Sequence, residues 1–190
     1  MVDIDQFQRR VSHVARGCPT AVLRDAIVQA AEDFCERTWI WRGEAVAQDT
    51  VEGQDVYVIE PDLEEGVEAV VLSAYEVKLD GGSASVTTPT RNTVRFWQAP
   101  HAGTELTARV VLKPARDSRN LPDFLWAEWQ DAIAAGARYK LLDMAGAQWF
   151  SPELSGQYRL EFERLWVPRA RVEVAQRQGR PLTVRKRRFI

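Results

Sequence analysis

The chain has 190 residues, 45% of them apolar and 27% charged, so it can bury one good core with room for a subdomain. No apolar run nears the roughly 20 residues a bilayer span needs, no signal-peptide core follows the N-terminal charge, and two cysteines argue against a disulfide scaffold and suit a reducing cytosol. The formal charge of −2 hides an asymmetry: residues 177–190 carry six Lys/Arg and no acid, leaving 19 bases against 27 acids elsewhere.

In chain order, residues 1–16 predict a short helix ending at Gly17. A second helix is expected from about Cys18-Pro19-Thr20, with Leu23, Ile27, Ala30, Phe34 and Thr38 on one face. Asp25, Gln29, Glu32 and Glu36 fall on the other, and the helix closes on Trp39-Ile40-Trp41. From Gly43 to Pro114 the pattern changes to short β-type runs: Glu44–Gln48, Val56–Ile59, Val67–Leu79, Val86–Thr88, Thr93–Trp97 and Glu105–Lys113. Turn residues separate them at Glu52-Gly53, Glu60-Pro61-Asp62, Asp80-Gly81-Gly82, Arg91-Asn92 and Ala99-Pro100. This reads as a small antiparallel sandwich or barrel set between helices that must pack together to bury their own faces.

Pro122 and Asp123 open a third helix that should run to about Gln148, since proline loses no bond in the first turn and Asp123 meets the positive helix end. Leu125, Trp126, Trp129, Ile133, Ala137, Leu141 and Met144 recur at three-and-four spacing along it. Ser151-Pro152-Glu153 predicts the next start, with Ser151 as cap, giving a helical hairpin. Pro168 should kink or break that last helix, and the helical pattern then ends at Gly179. The fold class expected is α+β. Residues 1–42 and 116–178 would form a helical body, 43–115 an inserted antiparallel β subdomain, and 179–190 an extended basic tail.

Candidate chemistry is thin. His13 and His101 lack neighbours at ligand spacing, Cys18 and Cys35 lack a partnering base, and Asp80-Gly81-Gly82 is a turn without the lysine of a phosphate loop. Ser12, Ser73, Ser118 and Ser155 have no nucleophile-elbow context. Glu153, Glu161 and Glu163 suit i,i+4 pairing with arginines. No catalytic set, metal site or cofactor is expected. The small-residue run Ala132, Ala134–Ala137 admits another helix closely, within the monomer or at a subunit contact, and Trp126, Trp129, Trp149 and Trp166 read as core or interface. The tail Arg185-Lys186-Arg187-Arg188-Phe189-Ile190 has three readings: a solvated end, a salt-sensitive phosphate binder, or a docking segment. Phe189 and Ile190 favour docking, because a purely electrostatic tail needs no apolar end.

The run Ala26-Ile27…Ala30-Ala31-Glu32-Asp33-Phe34-Cys35-Glu36-Arg37…Trp39-Ile40-Trp41 resembles the opening helix of head-to-tail adaptor proteins of tailed bacteriophages. The β-rich middle, Leu121-Pro122-Asp123…Trp129…Gly136-Ala137, the turn Gln148–Pro152 and the ending Val184–Phe189 match the same group in order. The resemblance implies a structural, non-enzymatic protein of the virion neck, assembled in the host cytoplasm. It implies a ring of twelve neighbouring copies beneath the portal protein, extending the channel and offering a platform to a tail or nozzle protein. Genomic DNA would pass through without sequence-specific contacts, and no membrane is involved. The portal-binding residues so implied are Arg180, Val184, Arg185, Lys186, Arg187, Arg188, Phe189 and Ile190. Two other classes stay open: a nucleic-acid-binding module using the tail, and a small hydrolase.

Overall fold

The computed structural model describes residues 1–177; the portal-binding residues expected at 180–190 therefore lie outside the described residues. The chain opens with a two-residue strand, β1 (Val2–Asp3), that runs into a short helix, α1 (Ile4–Val11). Asp3 caps α1 by accepting the Asp5 N–H at 2.8 Å. The second helix, α2, spans Thr20–Thr38 and ends on Trp39, which sits in the left-handed region at φ 56°. There its amide donates to the Cys35 carbonyl at 2.9 Å, closing the helix at a local strain cost of about 1–3 kcal/mol.

The strands that follow are β2 (Arg42–Glu44), β3 (Gln48–Asp49), β4 (Val56–Val58), β5 (Ala69–Leu79), β6 (Gly82–Ser83), β7 (Val86–Thr87), β8 (Thr93–Phe96), β9 (Glu105–Pro114) and β10 (Asn120–Leu121). All pair antiparallel. β9 is the spine of the larger sheet, with β2 and β3 along one side and β5 along the other; β4, β8 and β7 make a second, three-stranded sheet. Asp80 and Gly81, both at positive φ, turn β5 into β6, so Asp80-Gly81-Gly82 is the hairpin turn its composition predicts. β1 pairs β10, tying the N-terminus to the entry of the third helix.

That helix, α3, spans Asp123–Leu142; α4 (Pro152–Leu160), a π-helical stretch (Glu161–Trp166) and α5 (Val167–Arg177) then run on as one rod. α2 lies between β9 and α3, with Leu23, Ala26, Ile27, Ala30, Ala31, Phe34 and Cys35 all buried. The expected polar face of α2 is therefore only partly wet: Glu32 and Glu36 are half-buried and both reach Lys113 on β9, at 3.9 and 2.7 Å. α3 is buried over almost its whole circumference between Ala132 and Ala137. A β-carbon on Gly136 would stand 3.0 Å from the Ala30 Cβ and 3.1 Å from the Phe162 ring, so this glycine is where two elements come closest to α3. The small-residue run thus serves packing inside the monomer. Helical and β residues share one continuous apolar core.

Four expectations need correcting. The first helix covers only Ile4–Val11, not residues 1–16, and Val2–Asp3 pairs β10 as a strand. α3 stops at Leu142, not near Gln148. Its last carbonyls are taken from outside the helix: the Trp149 indole donates to Leu141 at 3.1 Å, the Ser151 amide to Leu142 at 2.9 Å and the Ser155 hydroxyl to Tyr139 at 3.1 Å. Ser151 does not cap α4 through its side chain; its carbonyl accepts the Ser155 amide instead. Pro168 does not break the last helix. The turn just before it widens, with the Val167 amide reaching back five residues to the Phe162 carbonyl, and the wider ring accommodates a residue that has no N–H to give.

Candidate interaction surface

The extra residue in the π-helical stretch sets which side chains the C-terminal rod shows. Phe162, Val167 and Ala170 stay on the buried side. Leu160, Leu165, Pro168 and Val172 are exposed, and their spacings of five, three and four bring them onto one side of the rod. In an unbroken α-helix a five-residue step would swing Leu165 well away from Leu160; the wider turn returns it. The result is an apolar stripe on the outside of the helical body.

At its C-terminal end the rod meets the sheet. Arg37, Thr38, Trp39, Arg42, Tyr75, Arg171, Val174 and Ala175 line a cleft of about 380 Å³. The Arg171 Nε donates to the Arg37 carbonyl at 2.7 Å and the Arg42 guanidinium stacks over Tyr75 at 5.1 Å, so the arginines hold the cleft walls together. Trp39, 45% exposed, also lines the cleft, and its carbonyl accepts from the Arg42 Nε at 3.3 Å.

The β portion has the opposite charge. Residues 43–77 contain ten Asp/Glu and no Lys, Arg or His. Glu60, Asp62, Glu64, Glu65 and Glu68 crowd the exposed loop between β4 and β5. Farther along, Glu76 has its carboxyl held below the usual range by the Lys78 ammonium that hydrogen-bonds it, with Arg109 adding to the effect. Trp97, just past β8, is 78% exposed, the most exposed large apolar side chain among the described residues.

The remaining sequence candidates are structural. Trp129 is buried against Phe34, and Trp126 packs edge-on to Phe7 at 4.9 Å. Trp149 closes α3, and the Trp166 indole donates to Glu161 at 3.2 Å. Glu163 pairs Arg159 at i,i+4 and reaches Arg37 across to α2. Ser118 donates to the Glu68 carbonyl at 2.8 Å. Among the described residues no group of three or more His, Cys, Asp or Glu is placed to hold a metal ion. No helix among them is long and apolar enough to cross a membrane.

Burial pushes the Cys35 thiol far above its ordinary range, reinforced by Glu36 and Glu32, and Lys113 only partly opposes this. Cys18 is also raised by burial, but it stays partly accessible. Iodoacetamide at pH 8 is therefore expected to modify Cys18 slowly and Cys35 not at all in the folded protein, with both modified in urea. Peptide mass mapping reads this directly, and rapid labelling of Cys35 without denaturant would contradict the packing of α2 described above.

No protein-family model matches the chain, and no curated protein is similar to it.

Proposed function

We infer that this chain is a head-to-tail adaptor of a tailed bacteriophage, a structural ring component seated beneath the portal. The observation that carries the reading is the layout of its C-terminal third. A continuous helical rod presents an apolar stripe and ends at an arginine- and tryptophan-lined cleft, and the sequence beyond it has four consecutive bases followed by Phe189-Ile190. Such a segment fits docking: charge steers the encounter and two apolar side chains fill pockets. The stripe offers a second, lateral contact for neighbouring copies, because exposed apolar side chains grouped on one surface mark association sites. In this arrangement the helices form the ring body around the channel. The β portion is a subdomain whose loops, with Trp97 at one tip, face the next tail component.

The test is direct. Electron micrographs of the chain mixed with portal rings, with light scattering for mass, are expected to show a closed ring of adaptor on each portal, about twelve copies by the family resemblance. A single copy per portal, or none at equimolar micromolar concentration, overturns the reading.

A further inference from the structure

We propose that the arginine-lined cleft at the end of the rod receives the acidic loop between β4 and β5 of a second copy of this chain. Each copy offers its loop to one neighbour and its cleft to the other. The contact rests on the ring reading above only for its place there, between adjacent subunits.

Arg37, Arg42 and Arg171 line the cleft and no carboxylate does. An adjoining hollow of about 190 Å³, lined by Ile40, Arg42, Phe124 and Val174, shares two of these residues with the cleft and adds no acid. Arg37 shares Glu163 with Arg159, at 3.4 and 3.3 Å. Arg171 makes no ion pair among the described residues. The groove is therefore a positive patch on a body that carries 19 bases against 27 acids before residue 177. A free phosphate would meet the guanidinium groups but leave Trp39 and Tyr75 uncovered. Tryptophan, tyrosine and arginine dominate the centres of protein contacts, so the lining favours an acidic peptide segment over a small anion.

The chain carries such a segment. Glu60, Asp62, Glu64, Glu65 and Glu68 are all exposed, and no base interrupts them. None of the five makes an ion pair among the described residues. Crowded carboxylates repel one another, a cost that guanidinium groups relieve. Val58 and Val70, both exposed, flank the loop and supply apolar surface to set against the aromatic side chains of the cleft.

No residue of 58–70 lines the cleft or its adjoining hollow, so a copy does not fill its own groove. Both surfaces stay open until another copy arrives. A contact between two different patches repeats from copy to copy and closes into a ring when its rotation allows. The apolar stripe ends at Val172, next to Arg171, so the cleft adjoins the lateral surface proposed above. Of the loops of the β portion, this one turns to the neighbour and the others remain for the next tail component.

Sedimentation velocity without portal tests this on two full-length variants. The loop variant is Glu60→Gln, Asp62→Asn, Glu64→Gln, Glu65→Gln, Glu68→Gln, and the cleft variant is Arg37→Gln, Arg171→Gln. Thermal melts establish that each is folded. The unsubstituted protein is expected to associate as its concentration rises at 0.1 M salt, and about tenfold more weakly at 1 M. Each variant alone should stay monomeric over the same range. Their equimolar mixture should form dimers and nothing larger, because each pair retains one intact loop and one intact cleft. Self-association of either variant at the strength of the unsubstituted protein, or a mixture that stays monomeric, overturns the proposal. Loss of duplex DNA binding in the cleft variant, alongside a monomeric mixture, would assign the cleft to phosphate and overturn it equally. Should the cleft variant fail to fold, disulfide trapping decides. In a Cys18→Ser background, Glu64→Cys and Ala175→Cys proteins are expected to cross-link to each other and not to themselves; equal yields overturn the contact. The micrographs with portal are read separately, so either reading can fail alone.

Discussion

Phe162→Ala is expected to lower the stability of the fold by about 3–5 kcal/mol, the upper range for a single core truncation. Phe162 is fully buried in the π-helical stretch, with its ring 6.1 Å from Phe34 on α2, 5.9 Å from Tyr139 on α3 and 5.9 Å from the Arg37 guanidinium. It is the side chain by which the C-terminal rod grips both central helices. The surroundings cannot easily collapse into the hole, because the opposing wall is Gly136, which has no side chain to move in. Gly136→Ala is expected to destabilise by about 1–3 kcal/mol through overpacking, offset by up to about 1 kcal/mol of helix propensity. In the Phe162→Ala background one of its two close contacts is gone, so the double variant should be more stable than the sum of the single losses implies. Urea unfolding of the three variants measures this. Strict additivity would mean that Gly136 and Phe162 do not share the contact seen here.

The two long helices were legible because each buries a repeating face. Leu23, Ile27, Ala30, Phe34 and Thr38 on α2 and Leu125, Trp129, Ile133, Ala137 and Leu141 on α3 are all buried. Composition also placed the β region, since turn residues and alternating runs are local signals. What escaped depends on partners distant in sequence. Val2 and Asp3 read as helix until they meet Leu121 and Asn120. The end of α3 is fixed by the indole of Trp149 and the amide of Ser151, eight and nine residues beyond the Leu141 and Leu142 carbonyls they satisfy. Pro168 conflicts only with an ideal α-helix, and a single wider turn removes the conflict. At the interaction surface, the basic–aromatic ending was plain in the sequence. The apolar stripe was not, because Leu160 and Leu165 share a side only through the π-helical stretch, which no local pattern encodes.

If the proposed adaptor role holds, replacing Phe189 and Ile190 by alanine is expected to speed dissociation of the chain from portal by about 30-fold or more. Truncated hot-spot side chains cost at least about 2 kcal/mol, and that loss appears mainly in the off-rate. Replacing Arg185, Lys186, Arg187 and Arg188 by alanine acts on the other limb. On the proposed reading these four cations steer the encounter through long-range attraction, so their removal should slow association several-fold at low salt and flatten its dependence on ionic strength. Surface-immobilised portal with adaptor in solution gives both rate constants across 0.05–0.5 M salt, values chosen to span about a threefold range of Debye length. Deleting 180–190 should leave the thermal melt of the body within a few degrees of the full chain and abolish stable attachment. If the truncated chain holds the portal as long as the intact one, the segment is not the anchor, and attachment must run through the apolar stripe of the rod instead.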